Sequence, residues 1–111
     1  PSAGQVRRTP ITERAVLDAV SAHFEVDALG LAGRRRDART TLARHIAMYL
    51  LREDAQMSLS DIGRALGGRD HSTVVHGRNR VANLARSDNL VRHDITSLRR
   101  ALAAPTAATI S

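Results

Sequence analysis

Residues 58–77 read SLSDIGRALGGRDHSTVVHG, and this stretch decides the fold. Ser58-Leu59-Ser60-Asp61 has the pattern of a capping box, in which Ser58 accepts from the backbone of the first helical turn and Asp61 reaches back to it. Ile62 and Leu66 then give a short helix one buried face. Gly67-Gly68 ends it, because glycine tolerates the positive φ of a tight corner, and Asp70 is placed to cap the next helix. That helix is expected to run to about Arg86, burying Val74 or Val75, Val81 and Leu84. A short helix, a glycine-bearing turn and a longer helix with a polar start form a helix-turn-helix.

The flanking sequence is helical as well. Val16, Val20 and Phe24 recur at i+4, as do Leu42 and Ile46, with Tyr49 and Leu50 following. Thr12 is placed to cap a first helix reaching about Phe24, and Asp27 to open a short turn ending near Gly33. A second long helix is expected from Ala38 to Glu53. A last one, from about Leu90 to Ala103, would bury Leu90 or Val91, Ile95, Leu98 and Leu102, with Pro105 stopping it. No alternating strand pattern occurs. The fold class is therefore all-α: a compact helical domain with a helix-turn-helix and an arginine-rich basic loop.

Composition narrows the chemistry. The 111 residues fit one domain, and with Phe24 and Tyr49 the only aromatic residues the core must be aliphatic. Cysteine is absent, which excludes disulfides, thiolate catalysis and cysteine-based metal sites. All 17 basic residues are arginine, so the lysine of a Walker-A phosphate loop and Schiff-base chemistry are excluded too. No apolar run approaches the roughly 18 residues of a membrane span. Polar ends and the lack of a starting Met predict a piece of a longer chain. Residues 1–10 are expected to be a linker from a preceding module, 11–104 the helix-turn-helix domain and 105–111 a flexible tail.

The net charge of +6 is unevenly spread. Six arginines against Asp37 give residues 34–52 a charge of +5, and five against Asp70 give residues 64–86 a charge of +4. The first turn of the second helix-turn-helix helix is Arg69-Asp70-His71-Ser72-Thr73. Arginine can grip guanine bidentately, aspartate can accept from cytosine N4, and Ser, Thr and His can serve either role at base edges in a major groove. The plainer reading is that Asp70 and Thr73 only cap the helix while Arg69 and His71 sit in solvent. Arg34-Arg35-Arg36 cannot share one helix face, so they belong on a loop that can fan across phosphates or enter a narrow minor groove. A solvated charge run is the alternative there. Arg39 and Arg44 follow as candidate phosphate contacts. Single-strand binders stack bases on platforms of aromatic rings, and Phe24 and Tyr49 alone make no such platform, so duplex DNA is favoured.

Metal and catalytic chemistry find little support. His71 and His76 lie about 140° apart around a helix and do not converge as a pair four apart would. His23, His45 and His93 fall on separate expected helices, and His76 reads as a surface or packing residue. No nucleophile has a local base and acid, and no cofactor motif is present.

Ala43–Glu53 (ARHIAMYLLRE) and residues 58–77 together resemble the C-terminal DNA-binding domain of the DnaA family of bacterial replication initiators. The resemblance extends over about Ile11 to Leu102. It implies sequence-specific binding of double-stranded DnaA boxes at the replication origin. Arg36 would read the minor groove and Asp70, His71 and Ser72 the major groove. Arg69 and Thr73 match signature positions near the same backbone, and Arg52, Leu59 and Ser60 match positions expected at DNA. In that family an ATPase module precedes this domain, so this chain is expected to bind DNA without hydrolysing ATP and without a cofactor. Ser72 stands where Thr is common, Ser60 where Pro is frequent and His45 where Gln is frequent. The resemblance further implies a nucleoid-associated cytoplasmic protein that meets replication-regulatory proteins. The isolated domain is expected to be monomeric, because no long heptad or spare apolar stripe remains. The other readings are a transcriptional regulator with the same motif and a protein-interaction module.

Overall fold

Every helix begins at a side chain able to accept from its own first turn, and those caps set the architecture. The computed structural model describes residues 10–104, and among them there are six helices and no strand. They are α1 (Glu13–Phe24), α2 (Ala28–Ala32), α3 (Ala38–Glu53), α4 (Leu59–Ala65), α5 (His71–Ser87) and α6 (Asn89–Ala103). Their N-caps are Thr12, Asp27, Asp37, Ser58, Asp70 and Asp88. Each accepts from a backbone N–H that the helix itself leaves without a partner. The expected linker over residues 1–10 and tail over residues 105–111 lie outside the described residues, save for Pro10.

The long α3 is the centre of the core. It packs against α1 on one side and α5 on the other, while α6 closes against both α1 and α5 and α4 lies against α5. Ile46, Ala47, Leu50 and Leu51 of α3 are fully buried, with Val16 and Val20 from α1, Val74 and Val81 from α5, and Ile95 and Leu98 from α6 beside them. Removing a Leu or Ile side chain of this kind from water contributes about 1.5–3 kcal/mol. An aliphatic core with no ring larger than Phe24 can thus hold a domain of this length. Gly77 lets α5 come close to α3: a Cβ there would collide with Met48 Sδ and lie 2.9 Å from the His45 ring.

Where two adjacent apolar residues competed for the core, the helical phase decides. Val74 is buried and Val75 is 37% exposed, because Val74 shares the face of Gly77 and Val81. Val91 is buried and Leu90 is 78% exposed, because Val91 aligns with Ile95 and Leu98. The capping box forms only halfway. Ser58 Oγ accepts from the Asp61 N–H at 3.0 Å, but the Asp61 carboxylate takes the guanidinium of Arg64 in place of the Ser58 backbone. Aspartate is one methylene shorter than the Glu or Gln that normally closes the box.

Polar side chains fasten the outer helices. Arg99 of α6 holds Asp54 through two bonds of 2.9 and 2.8 Å, and Arg78 of α5 holds Glu53. Both guanidinium groups sit within 6 Å of the Tyr49 ring. His23 of α1 meets Asp94 of α6 at 2.8 Å. No helix among the described residues is long and apolar enough to cross a membrane.

Candidate nucleic-acid interface

The turn between α4 and α5 is wound around one carbonyl. Gly63 O accepts from the N–H groups of Leu66, Gly68 and Arg69 at 3.2, 2.9 and 3.0 Å. Gly67 and Gly68 make this possible with φ of 86° and 83°. Gly67 also presses on the end of α2, where a Cβ would collide with the Ala32 carbonyl oxygen. The corner therefore fixes α5 relative to α4 and itself meets the segment that precedes the arginine loop.

Asp70 then caps α5, accepting from the Thr73 N–H at 2.8 Å. That bond, followed by the Thr73 hydroxyl and the nearby His71, holds its carboxyl below the ordinary carboxylate value, with desolvation opposing. Asp70 remains ionised and exposed, and His71, Ser72 and Thr73 are exposed beside it. Cap and display coincide: Oδ1 fixes the helix start while the side chain stays at the surface with its neighbours. Ser72, His76 and Arg80 continue the outward side along successive turns of α5, and all three are exposed.

The arginine loop runs from Gly33 to Asp37. Asp37 caps α3 by accepting from the Thr40 N–H and hydroxyl at 3.1 and 2.9 Å, and these bonds keep its carboxyl below the ordinary value. Arg35 folds back onto Asp37 at 3.1 Å. Arg34 and Arg36 are exposed and make no hydrogen bond or ion pair among the described residues. They are the loop's free guanidinium groups.

Arg44 requires a correction. Expected as a phosphate contact, it is 5% exposed and its three guanidinium nitrogens all donate to backbone carbonyls. Nε reaches Leu31 O at 2.8 Å, Nη2 Gly30 O at 3.0 Å and Nη1 Arg35 O at 3.2 Å. Burial pushes its pKa down, with Asp37 partly compensating. Arg69 also points inward. Its guanidinium donates to Gly33 O at 2.5 Å, to Ala32 O at 3.3 Å and to Leu66 O. Arg39 turns toward the end of α1, donating to Phe24 O at 2.7 Å with Glu25 at 3.9 Å. Arg52 stays exposed at the end of α3 and donates to Met57 O at 2.8 Å, next to the exposed Ser60 and the half-buried Leu59 of α4.

The structure brings together three basic side chains that the sequence does not connect. The rings of His45 and His76 meet edge-on at 6.2 Å, and Arg80 lies one turn beyond His76. Burial lowers the pKa of His45, and the nearby His76, Arg80, Arg44 and Arg69 lower it further. His45 and His76 are 31 positions apart, so no local pattern could have joined them. Among the described residues no group of three His, Asp or Glu is arranged to hold a metal ion.

The family described as the bacterial dnaA protein helix-turn-helix matches residues 14–81. This chain belongs to that family. The matched span takes in the arginine loop, α4, the corner and α5 as far as Val81. Proteins called chromosomal replication initiator protein DnaA are similar over most of its length. That of Herpetosiphon aurantiacus is 45% identical over 96 residues, and that of Roseiflexus castenholzii is 42% identical over 96. That of Thermomicrobium roseum is 46% identical over 95. In each case the alignment covers 86% of this chain and 20% of the relative, so the chain spans about a fifth of the length of the DnaA proteins it matches.

Proposed function

We propose that this DnaA-family chain binds double-stranded DNA sequence-specifically at DnaA boxes of a bacterial replication origin, as part of chromosomal replication initiation. In this reading the first turn of α5 enters the major groove and the arginine loop enters the adjacent minor groove. The observation that carries it is the joint presentation of two exposed sets: Asp70, His71, Ser72 and Thr73 on α5, and Arg34 and Arg36 on a loop fastened to the same corner.

The roles follow from donor and acceptor chemistry. Asp70 accepts from a cytosine or adenine amino group, His71 and Ser72 face base edges, and Arg36 occupies the narrow minor groove where the potential is most negative. Arg34, Arg35, Arg52 and Arg80 face phosphates, with His76 beside them. The N–H groups at the start of α4 and α5 add partial positive charge toward the same backbone. Nothing in this scheme needs a metal, a cofactor or a catalytic residue, and a single copy can span one box. Replication-regulatory proteins and a nucleoid-associated cytoplasmic setting belong to the same reading.

Affinity should fall steeply with salt. Arg34, Arg35, Arg36, Arg52 and Arg80, five charges brought against the duplex, give a log-log slope of about −4.5. Selection of bound sequences from a random duplex pool tests the proposal: recovery of one short asymmetric box supports it. A pool returned without enrichment, or a slope near zero, would refute it.

A further inference from the structure

Arg69 and Arg44, from different elements, donate to the same short stretch of backbone, residues 30–35. Arg69 belongs to the corner between α4 and α5, yet it reaches back 36 and 37 residues to the carbonyls of Gly33 and Ala32. Arg44, on α3, takes the carbonyls of Gly30, Leu31 and Arg35. Between them they hold the chain on both sides of Arg34, and Gly67 abuts the Ala32 carbonyl as a third point of contact. Two like charges brought this close repel each other, so the arrangement persists only because the carbonyls compensate them. A guanidinium suits the task because its planar fork engages several acceptors in fixed geometry, whereas an ammonium is a single point of attachment.

We propose that Arg69, seconded by Arg44, is a positioning residue that sets the distance between the arginine loop and α5, and so joins two groove readings into one fixed spacing. This rests on the duplex-binding reading above. The spacing has to be tight. Successive base pairs are about 3.4 Å apart along the duplex, so a loop that slid by that much would bring Arg36 to the wrong pair. The charge of Arg69 is thus secondary to the place where its fork holds the loop.

Arg69→Lys keeps the charge and removes the fork, and two measurements read the result. The first needs no DNA. Because the chain has no cysteine, nitroxide labels can be placed uniquely at Arg34→Cys and Asn83→Cys, both exposed positions. Their pulsed-EPR distance distribution should be narrow when Arg69 is intact. In the Arg69→Lys variant it should broaden by about 3.4 Å or more, one base-pair step. Arg44→Lys, which frees the same loop from α3, should broaden it likewise. An unchanged width in both variants overturns the proposal.

The second measurement is the selection experiment with the unlabelled variant. Arg69→Lys should keep its preferences at base pairs read by α5. At the pairs where Arg36→Ala also loses preference, discrimination should fall from roughly tenfold or more to near none. A uniform loss of affinity with every base preference intact would make Arg69 an ordinary phosphate contact and overturn the proposal. If the unmutated chain itself selects no sequence, the duplex reading fails, while the label distances still decide whether Arg69 holds the loop.

Discussion

Replacing Arg44 by Met separates a structural arginine from a DNA-contacting one. Met keeps most of the apolar stem and removes three donors, leaving the carbonyls of Gly30, Leu31 and Arg35 to water or to nothing. Hydrogen bonds from a charged group contribute about 1.5–3 kcal/mol each. The sum is not realised in full, because methionine also escapes the cost of burying a charge and the loop carbonyls can be rehydrated. A net loss near about 3 kcal/mol follows, on the scale of breaking a buried hydrogen-bond network. For a domain of this size each kcal/mol lowers Tm by about 4–8 °C, so Arg44→Met should melt about 12–24 °C lower. Circular dichroism melts give that number, and fluorescence anisotropy at several salt concentrations, well below the new Tm, gives the other half. The salt slope should stay at the unmutated value, since no phosphate contact has been removed. Arg36→Ala should do the reverse, leaving Tm unchanged while the slope becomes shallower by about 0.9. An Arg44→Met protein with unchanged Tm and a slope shallower by about 0.9 would refute the assignment of Arg44 to the scaffold.

Three further expectations follow from the same geometry. Arg36→Ala should weaken binding to the cognate box more than to random duplex in a competition titration, because an arginine in a minor groove reads shape as well as charge; equal loss on both would remove its reading role. Gly77→Ala should destabilise the fold despite alanine's better helix propensity, since the new methyl meets the fully buried Met48; overpacking costs about 1–3 kcal/mol, and a higher Tm would show that α3 and α5 can move apart. The pH profile should have two components. His45 has a folded pKa below its ordinary 6.5, so the unfolded chain binds more protons there and stability falls as pH drops below 6.5. Asp37 and Asp70 are lowered from 3.8, so their contribution is present above that value and is lost as pH falls further toward their folded pKa values. His45→Gln should flatten Tm against pH just below 6.5 and leave the acid limb alone; a curve identical to the unmutated one would contradict the cause assigned.

The caps and corners were legible in the sequence because they are local. Thr12, Ser58 and Asp70 each cap the helix they were expected to open, Asp27 caps a short helix where a turn was expected, and Gly67-Gly68 turns the chain where glycine was needed. The choices between Val74 and Val75 and between Leu90 and Val91, open at first reading, fall to the residue in phase with Val81 and with Ile95 and Leu98. Charge was the least legible feature. Sequence counts Arg34, Arg36, Arg44 and Arg69 alike, but only the fold shows that two reach backbone carbonyls 9 to 37 residues away while two stay free. His45 and His76 were obscure for the same reason, because their meeting depends on how α3 crosses α5 at Gly77. The candidate reading groups on α5, by contrast, sit in one helical turn, and their exposure follows directly from the cap at Asp70.

Whether one duplex is read in both grooves is tested most directly with inosine·cytosine pairs. Such a pair presents the major-groove face of G·C but lacks the guanine amino group, so its minor-groove face resembles A·T. Replacing each A·T pair of the selected box in turn by inosine·cytosine and by guanine·cytosine, and measuring affinity with the unmutated chain and with Arg36→Ala, sorts the positions by groove. Two sets should emerge: pairs under the arginine loop that tolerate inosine·cytosine but not guanine·cytosine, a distinction lost in Arg36→Ala, and pairs under α5 that tolerate neither in either protein. If every position were equally sensitive, or if Arg36→Ala changed all of them alike, reading in two grooves would be contradicted.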